Sequence, residues 1–594
     1  MLLYDFSNVS SQWTIRGPRN LSNGGLPPRV DFKPYLWMIL RQRGWCPMDL
    51  LPLTYCFNTS TLIFIANLNP PDPEQEHRMI SIKTGTSQDV PPDTKLCNML
   101  RCQLRHLSDD TYQTRHVDGC PGCEDIVADP TAILRCGKIP LIMCIDANSE
   151  SLDVALVEAE EDMAYIAISH VWSDGLGNVR QNALPRCQLL RLSNLVANLP
   201  GRAANTVLFW LDTLCVPPDA AGQREEQNIA LQLMRQVYEK ATAVLVLDSW
   251  LMTTLGCQAD EAELLVRIFT SNWNRRLWTY QEGALAQMLL FRFQDCICDL
   301  DSTFQRFAAS LTITGSTTVW PCVEQLYNSL RGFLATSESK GAALAGVIAA
   351  LAFRTTSQAA DEVLCLATLL NLDMKSFLKV ADGRSRMELF WTMMDAVPIT
   401  ILMDRSEKID TPGLRWAPQT LLLSSSKIDS RGTYRGWLSL GNLFTVPHAK
   451  PSPRGLCVQM HGLVFSVSNA TLGRPFLIVD EGGKCSRLIH EYCKSEDQPD
   501  EDRHINPTEE LGATKAAFVS WSSTSPTDDS GYLLAVLEQD QQVIYARNLG
   551  AALLISSVAR LDLSPGMNII DEDTGLLRAA FGEIKGPLQK WCID

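Results

Sequence analysis

The stretch YIAISHVWSD, residues Tyr165–Asp174, decides the fold predicted for this chain. Apolar, strand-forming residues at positions 165–168 are followed at once by a polar cluster that includes Ser169, His170 and Asp174, and then by Gly175. This pattern predicts a buried strand whose carboxyl end opens into a functional loop.

Three later segments repeat the pattern of an apolar run beside an acidic residue. These are Val207–Leu211 running into Asp212, Ala243–Leu247 running into Asp248, and Met288–Phe293 after a predicted helix that carries Glu282. Strands separated by helical patterns predict a parallel α/β sheet, and such sheets bind ligands beyond the carboxyl ends of their strands. We therefore expect these polar residues to meet at one edge of the sheet.

The length of the chain predicts several domains. At 594 residues it exceeds one ordinary core, so two to four domains are expected. The segments predicted are an N-terminal extension with a Cys/His-rich stretch (1–162), the α/β unit (163–295), a helical region (296–425) and a β-rich C-terminal region (426–594). The last two together read as an α+β annex to the α/β unit.

Composition and charge exclude several classes of function. The formal net charge of −15 argues against general binding to a nucleic-acid backbone, which needs concentrated Lys and Arg. The opening MLLYDFSNVS lacks the features of a signal peptide, and the most apolar run, Gly341–Phe353, is too short to span a bilayer. These observations predict a cytoplasmic protein without a membrane span.

One segment has the residue types and spacing of a metal site. Among nineteen cysteines, the spacings Cys97-x4-Cys102-x3-His106 and His116-x3-Cys120-x2-Cys123 offer six candidate ligands for four positions. The zinc set predicted is Cys102, His106, Cys120 and Cys123, because each pair is spaced as one edge of a tetrahedron. The alternative is a group of reduced thiols beside a solvated histidine.

Four motifs resemble one known domain family. In chain order they are AISHVWSDGLGN (Ala167–Asn178), FWLDTLCVP (Phe209–Pro217), the helix EEQNIALQLMRQVYEKA before VLVLDSWL, and WNRRLWTYQE (Trp273–Glu282). They resemble the heterokaryon incompatibility (HET) domain of filamentous fungi from Met163 to about Phe293. The resemblance implies a role in nonself recognition and programmed cell death, with a protein partner or self-association.

HET domains are in turn distantly similar to Toll/interleukin-receptor (TIR) domains, which implies a flavodoxin-like parallel sheet. Some TIR domains assemble into signalling oligomers, and others cleave NAD. In the enzymatic ones the catalytic acid lies four residues after a tryptophan or similar residue, and Trp278-Thr-Tyr-Gln-Glu282 has that spacing. The resemblance therefore assigns the acid role to Glu282 and makes NAD a candidate substrate, with no certain cofactor.

The chemistry is consistent with a single acid. Cleavage of a nicotinamide–ribose bond passes through an oxocarbenium-like transition state and releases a neutral leaving group, so one carboxylate can stabilise the developing charge. Tryptophan rings would stack on the bases and arginines would hold phosphates. The substrate-binding residues predicted are Ser169, His170, Trp172, Asp174, Asp212, Arg275, Arg276 and Trp278.

Each of these residues also has a purely structural interpretation. Glu282 is expected to pair with Arg275 or Arg276 if it is not catalytic, Asp212 to cap the next turn, and the tryptophans to anchor the core. Ser169, His170 and Asp212 suggest a hydrolase triad, but the nucleophile-elbow motif G-x-S-x-G is missing around Ser169. Two other functions stay open: a non-enzymatic signalling or oligomerisation module, and a recruited biosynthetic enzyme.

Overall fold

In the computed structural model the chain forms two compact units. The first comprises the described residues within Met1–Thr336 and Ala349–Gly383, and the second those within Ser337–Ile348 and Arg384–Asp594. The residues described are 32–71, 97, 102, 112–145, 153–199, 206–314, 317–332, 340–351, 353–404, 406–422, 448–466, 476–479, 484–490, 515–520, 529–540, 542–560, 568–571, 575–584 and 589–594.

The first unit alternates strands and helices along the chain. Its strands are β1 (Asp125–Val127), β2 (Pro140–Ile145), β3 (Asp153–Glu158), β4 (Ile166–His170), β5 (Ala183–Pro185), β6 (Thr206–Trp210), β7 (Ala243–Leu247), β8 (Leu289–Arg292) and β9 (Ile297–Asp299). Its helices up to the central sheet are α1 (Lys33–Gln42), α2 (Pro47–Cys56), α3 (Thr59–Asn67), α4 (Thr131–Arg135), α5 (Arg186–Ala197), α6 (Asp212–Cys215), α7 (Arg224–Lys240), α8 (Ser249–Met252), α9 (Glu261–Thr270) and α10 (Trp278–Ala284). They continue with α11 (Leu300–Thr314), α12 (Trp320–Tyr327), then α13 (Lys340–Leu351), whose first part belongs to the second unit, α14 (Asp361–Leu369) and α15 (Met374–Leu378).

A seven-stranded sheet lies at the centre of this unit, in the order β3-β2-β6-β4-β7-β8-β9. The four inner strands β6, β4, β7 and β8 are mutually parallel, whereas β2, β3 and β9 run antiparallel to their neighbours. The predicted α/β class is confirmed, and the four strands predicted to be parallel are parallel. The antiparallel strands β3 and β9 each follow their neighbour after a short connection, and only a crossover of a dozen or more residues allows a parallel return.

The two central strands are buried along their whole length. Every residue of β4 and of β7 is buried, as expected for inner strands covered on both faces. Helix α7 packs against this layer, and the hydroxyl group of Tyr165 donates a 2.6 Å hydrogen bond to the carbonyl oxygen of Val237. This contact ties α7 to the amino end of β4.

Two helical stretches of the first unit are interrupted. The segment 37–53 forms two helices, α1 and α2, because Gly44 adopts a left-handed conformation (φ 92°) between them. The motif-bearing segment 273–286 begins as a 3₁₀ turn, Trp273–Arg275, before α10. Arg276 between the two has an extended backbone, and Thr355 forms an isolated parallel bridge with it.

The second unit is dominated by strands. It contains α16, whose helical span is Gly383–Thr392, and the strands β10 (Val397–Pro398), β11 (His448–Ser452), β12 (Gly455–Ser466), β13 (Phe476–Val479), β14 (Lys484–His490), β15 (Lys515–Ser520), β16 (Asp529–Gln539), β17 (Val543–Arg560), β18 (Asn568–Asp571), β19 (Gly575–Ile584) and β20 (Gln589–Ile593). Strand β20 pairs with both β12 and β17, and its buried Trp591 donates to the carbonyl oxygen of Met460 at 3.1 Å. Strand β20 thus joins β12 and β17 within one sheet.

None of the described helices combines the length and the apolar character that crossing a bilayer requires.

Candidate functional site

Four polar side chains meet where β4 and β6 end, and we call them the rim cluster: Ser169, His170, Asp212 and Glu282. Ser169 and His170 are the last residues of β4, Asp212 begins α6 after β6, and Glu282 lies on α10. Ser169 donates a short hydrogen bond to Glu282, and His170 bonds Asp212. Three segments distant in sequence therefore supply one cluster.

Asp212 fixes the orientation of the imidazole. Its Oδ1 atom lies 2.8 Å from His170 Nε2, and its Oδ2 atom accepts a 2.6 Å hydrogen bond from Trp172 Nε1. The backbone N–H of Thr213 also donates to Oδ1, at 2.6 Å. Because an ionised carboxylate only accepts hydrogen bonds, Nε2 must carry the proton in this contact.

The opposite nitrogen of the same ring, His170 Nδ1, is buried and forms no hydrogen bond with any described residue. The neutral ring would present Nδ1 as an acceptor, and the imidazolium would present it as a donor. In His170, Nε2 is thus bonded to Asp212, and Nδ1 has no hydrogen-bond partner within the described part of the chain.

Electrostatics favour an ion pair between His170 and Asp212. Burial, the largest single effect, lowers the pKa of His170, but the charge of Asp212, the hydrogen bond to it and the charges of Glu282 and Asp174 together outweigh burial, so the net pKa is raised. Burial likewise raises the pKa of Asp212, and the charge of His170 together with hydrogen bonds from His170, Trp172 and Thr213 outweighs this effect, so that pKa is lowered. Both groups are therefore stabilised in their charged forms.

Glu282 is in the opposite electrostatic situation. Only 7% of the residue is exposed, and burial raises the pKa of its carboxyl group to about 7. Hydrogen bonds donated by Ser169 and Tyr238 oppose the rise but do not cancel it. Glu282 is consequently close to half ionised near neutral pH, which suits an acid or base that must change its protonation state.

A directional chain of hydrogen bonds supports Glu282. Trp273 Nε1 donates to Ser169 Oγ at 2.6 Å, and Ser169 Oγ donates in turn to Glu282 Oε2. Each bond polarises the next, which strengthens the set in a buried site. Ser169 thus holds Glu282 as an acceptor and has no free proton to act as a nucleophile in this arrangement.

The structure uses the other predicted ligand-binding residues elsewhere. Asp174 accepts a 2.8 Å hydrogen bond from the backbone N–H of Ser249, so it joins the β4 loop to the loop after β7. Trp278 donates through Nε1 to Asp361 on α14 at 2.8 Å. These two residues have structural partners outside the rim cluster.

The two arginines predicted to hold phosphates have partners within the protein. Arg275 is buried and forms a 3.1 Å ion pair with Asp49 of α2, with its guanidinium group over Phe269 and Phe353 at 5.3 and 5.9 Å from the ring centroids. Arg276 offers its carbonyl oxygen to Arg354 Nη1 at 2.8 Å. A buried cation needs a buried partner, and Asp49 supplies it for Arg275 without any phosphate.

The predicted zinc set is not assembled among the described residues. Cys102 lies beside Cys97, with 3.7 Å between their sulfur atoms, and both group with Cys46. His106 lies outside the described residues. Cys120 and Cys123 instead group with two residues that the prediction had not chosen: His116 and Cys187.

Sequence reasoning missed Tyr238 and Trp273. Residues 229, 233, 236 and 237 are expected to face the sheet, but the buried side chains of α7 are Glu226, Ala230, Met234, Val237 and Tyr238. The 4-residue spacing 226-230-234-238 was a readable signal, because such residues share one helical face. Trp273 carried no signal of its own, since only the fold aims its N–H group at Ser169.

One part of the chain matches a known protein family. The sequence model of the family described as Heterokaryon incompatibility protein (HET) matches residues 165–250. That segment contains Ser169, His170, Asp212 and Tyr238, and it ends before Glu282. No curated protein and no solved structure matches the chain. Three of the four rim-cluster residues therefore belong to a heterokaryon incompatibility (HET) domain, which this chain carries.

Proposed function

We propose that the protein acts in the nonself recognition and programmed cell death of fungal heterokaryon incompatibility, and that its α/β unit cleaves NAD-like nucleotides at the rim cluster. The observation that carries the enzymatic part is the placement of Glu282: a carboxyl group with a pKa near 7, hydrogen-bonded to Ser169 at the carboxyl edge of the sheet. This combination is typical of catalytic acids and bases.

The strand order supports a flavodoxin-like, TIR-like core. The parallel strands β6-β4-β7-β8 stand in the order second, first, third, fourth along the chain, which is the beginning of the flavodoxin-like order. The order reverses between β4 and β7, and His170 lies at the carboxyl end of β4 beside that point. Ligands of open α/β sheets bind at such a position.

The proposed reaction needs one ionised carboxylate. The bond between ribose C1′ and the nicotinamide nitrogen breaks, its electron pair leaves with nicotinamide, and a water oxygen adds to C1′ while its proton passes to Glu282 or to solvent. Ionised Glu282 stabilises the positive charge that develops on the ribosyl group. The His170 and Asp212 pair positions a hydroxyl group or the water, and Trp172 keeps Asp212 in place.

The test is incubation of the purified full chain with NAD, with nicotinamide release measured by chromatography. We expect release by the wild-type protein, loss of release in Glu282→Ala, and unchanged release in Glu225→Gln, which removes an exposed carboxylate of α7. The rate should fall as pH drops below about 7, because protonation removes the charge of Glu282. Circular dichroism checks that each variant is folded.

The second candidate function is a signalling or oligomerisation module without catalysis. It is favoured by the burial of Glu282 and His170, which are 7% and 5% exposed, and by the internal partners of Arg275 and Trp278. In that case the rim cluster stabilises the domain, and a protein partner or a second copy binds another surface. Absence of nicotinamide release at protein concentrations where the chain self-associates would select this function.

A further inference from the structure

A second group of side chains, one histidine and three cysteines, shares no residue with the rim cluster. His116, Cys120 and Cys123 come from the segment 112–123, and Cys187 is the second residue of α5. The four ligand atoms all lie within 4.8 Å of one another. The set joins an N-terminal segment to the HET domain.

The distances within this set are those of a tetrahedral centre. The Nδ1 atom of His116 lies 3.6 Å from the sulfur of Cys120, 3.5 Å from that of Cys123 and 3.6 Å from that of Cys187. Zinc in a tetrahedral site binds sulfur at about 2.3 Å and nitrogen at about 2.0–2.1 Å, which places those ligand atoms about 3.6 Å apart. One nitrogen at the same distance from three sulfurs is the geometry of a Cys₃His site.

Backbone N–H groups are arranged around two of the three sulfur atoms. Val117 donates to the sulfur of Cys187 at 3.3 Å, and Cys187 donates to the sulfur of Cys123 at 3.4 Å. Such outer-shell hydrogen bonds stabilise thiolates, the form of cysteine that binds metals.

The turn that carries two of the sulfurs depends on glycine. Gly122 lies between Cys120 and Cys123 with φ 110°, a conformation that residues with a side chain rarely adopt. This backbone lets both cysteine side chains turn to the same side. The turn thus brings the two sulfur atoms to the side of His116.

We propose that His116, Cys120, Cys123 and Cys187 bind one structural Zn²⁺ ion. Borderline nitrogen and sulfur donors in a tetrahedral arrangement suit zinc, whereas calcium and magnesium require oxygen donors. Four protein ligands complete the coordination sphere and leave no position for a reacting water, so the ion is structural. This site does not depend on the proposed nucleotide cleavage.

The ion would hold the segment 112–123 across the loop that follows β4. Tyr112 donates to the carbonyl oxygen of Trp172 at 2.8 Å and accepts from the N–H of Gly177 at 2.8 Å. The backbone N–H of Arg115 donates to the carbonyl oxygen of Gly175 at 2.9 Å. Because Trp172 in turn holds Asp212, zinc stabilises the segment that keeps the rim cluster in shape.

The direct test measures zinc in the purified, reduced full chain by mass spectrometry. We expect one zinc ion per chain in the wild-type protein and a loss of most of it in Cys187→Ser. Cys136→Ser is the matched control, because Cys136 is exposed at the end of α4 and belongs to none of the candidate clusters. His116→Cys should keep the zinc, since it replaces one zinc ligand with another.

A second measurement does not depend on the folding of a variant. Cobalt added to the metal-free wild-type protein should produce the absorption bands of tetrahedral coordination with thiolate charge transfer. Zinc removal by a chelator should expose the bond after Arg115 to trypsin, a cleavage that zinc return suppresses. The proposal is refuted if the wild-type chain from zinc-supplemented cells holds no zinc and gives no cobalt bands, or if Cys187→Ser keeps its zinc.

Discussion

Replacement of Glu282 by glutamine tests whether the rim cluster is built around a carboxyl group that prefers to be neutral. Gln has nearly the same shape and can still accept from Ser169, so Glu282→Gln removes the charge and little else. We expect the variant to gain stability relative to the wild-type protein as pH rises, although it loses the proposed catalytic acid.

The magnitude follows from the pKa of the carboxyl group in the two states. In the folded protein it is about 7, against an ordinary value of 4.5, so between these values the folded state binds more protons than the unfolded state. By linkage, the free energy of unfolding then falls as pH rises from 4.5 through 7. Between about pH 5 and about pH 8 the wild-type protein should lose roughly 2.5 kcal/mol relative to Glu282→Gln.

The assay is urea-induced unfolding of both proteins, followed by tryptophan fluorescence at a series of pH values. The difference in free energy between variant and wild type should grow steadily with pH, whereas the exposed-site control Glu225→Gln should show a nearly constant difference. A difference for Glu282→Gln that does not change between about pH 5 and about pH 8 would refute the reasoning, because it would mean that the carboxyl group titrates alike in both states.

Two further substitutions test the parts around Glu282. Gly177→Ala would place a Cβ atom 2.6 Å from the indole ring of Trp172, so the loop must move. Thermal unfolding should show that the free energy of unfolding falls by about 1–3 kcal/mol. The control is Gly346→Ala, whose Cβ would have no described atom within 4 Å and which should change the free energy of unfolding by less than about 1 kcal/mol. Asp212→Asn removes a charge that opposes the effect of burial on His170, so the pKa of His170 should drop below its ordinary value of 6.5. NMR titration of labelled histidines measures this pKa. An unchanged pKa would show that Asp212 does not hold His170 in its charged form.

The titration of His170 also contributes to stability with a definite sign. Its pKa is raised in the folded protein, so its contribution is fully present below 6.5 and is lost as pH rises through the folded pKa. Asp212 has a lowered pKa, so its contribution is present above 3.8 and is lost as pH falls through the folded pKa. The pair is therefore most stabilising at mildly acidic pH.

The location of the predicted strands and of their polar ends was readable because it depends on local pattern. The segment Ala243–Leu247 is predicted as a strand and is a strand with the same bounds, and the other three central strands differ by one or two residues. A run of apolar residues that stops at Asp or His is a local property of the chain, and burial of both faces requires such a run.

The partners of those polar ends were not readable in the same way. The pattern offers Arg275, Arg276 and Glu282 within one motif and suggests that they pair, yet the fold sends Arg275 to Asp49 and gives Glu282 to Ser169 and Tyr238. Which charges pair in a core depends on the residues that packing brings within a few ångströms, and sequence distance says nothing about this.

The same division holds for the proposed metal site. Residue pattern alone was enough to predict an α/β core, to place His170 and Asp212 at the ends of strands and Glu282 on a helix, and to find Cys120 and Cys123 at the spacing of zinc ligands. The grouping of these two cysteines with His116 and Cys187, and not with Cys102 and His106, depends on the packed chain, because α5 returns to the segment 112–123. Local patterns follow from each residue's own burial and backbone preferences, whereas a site of several groups depends on distances between segments that only the packed chain defines.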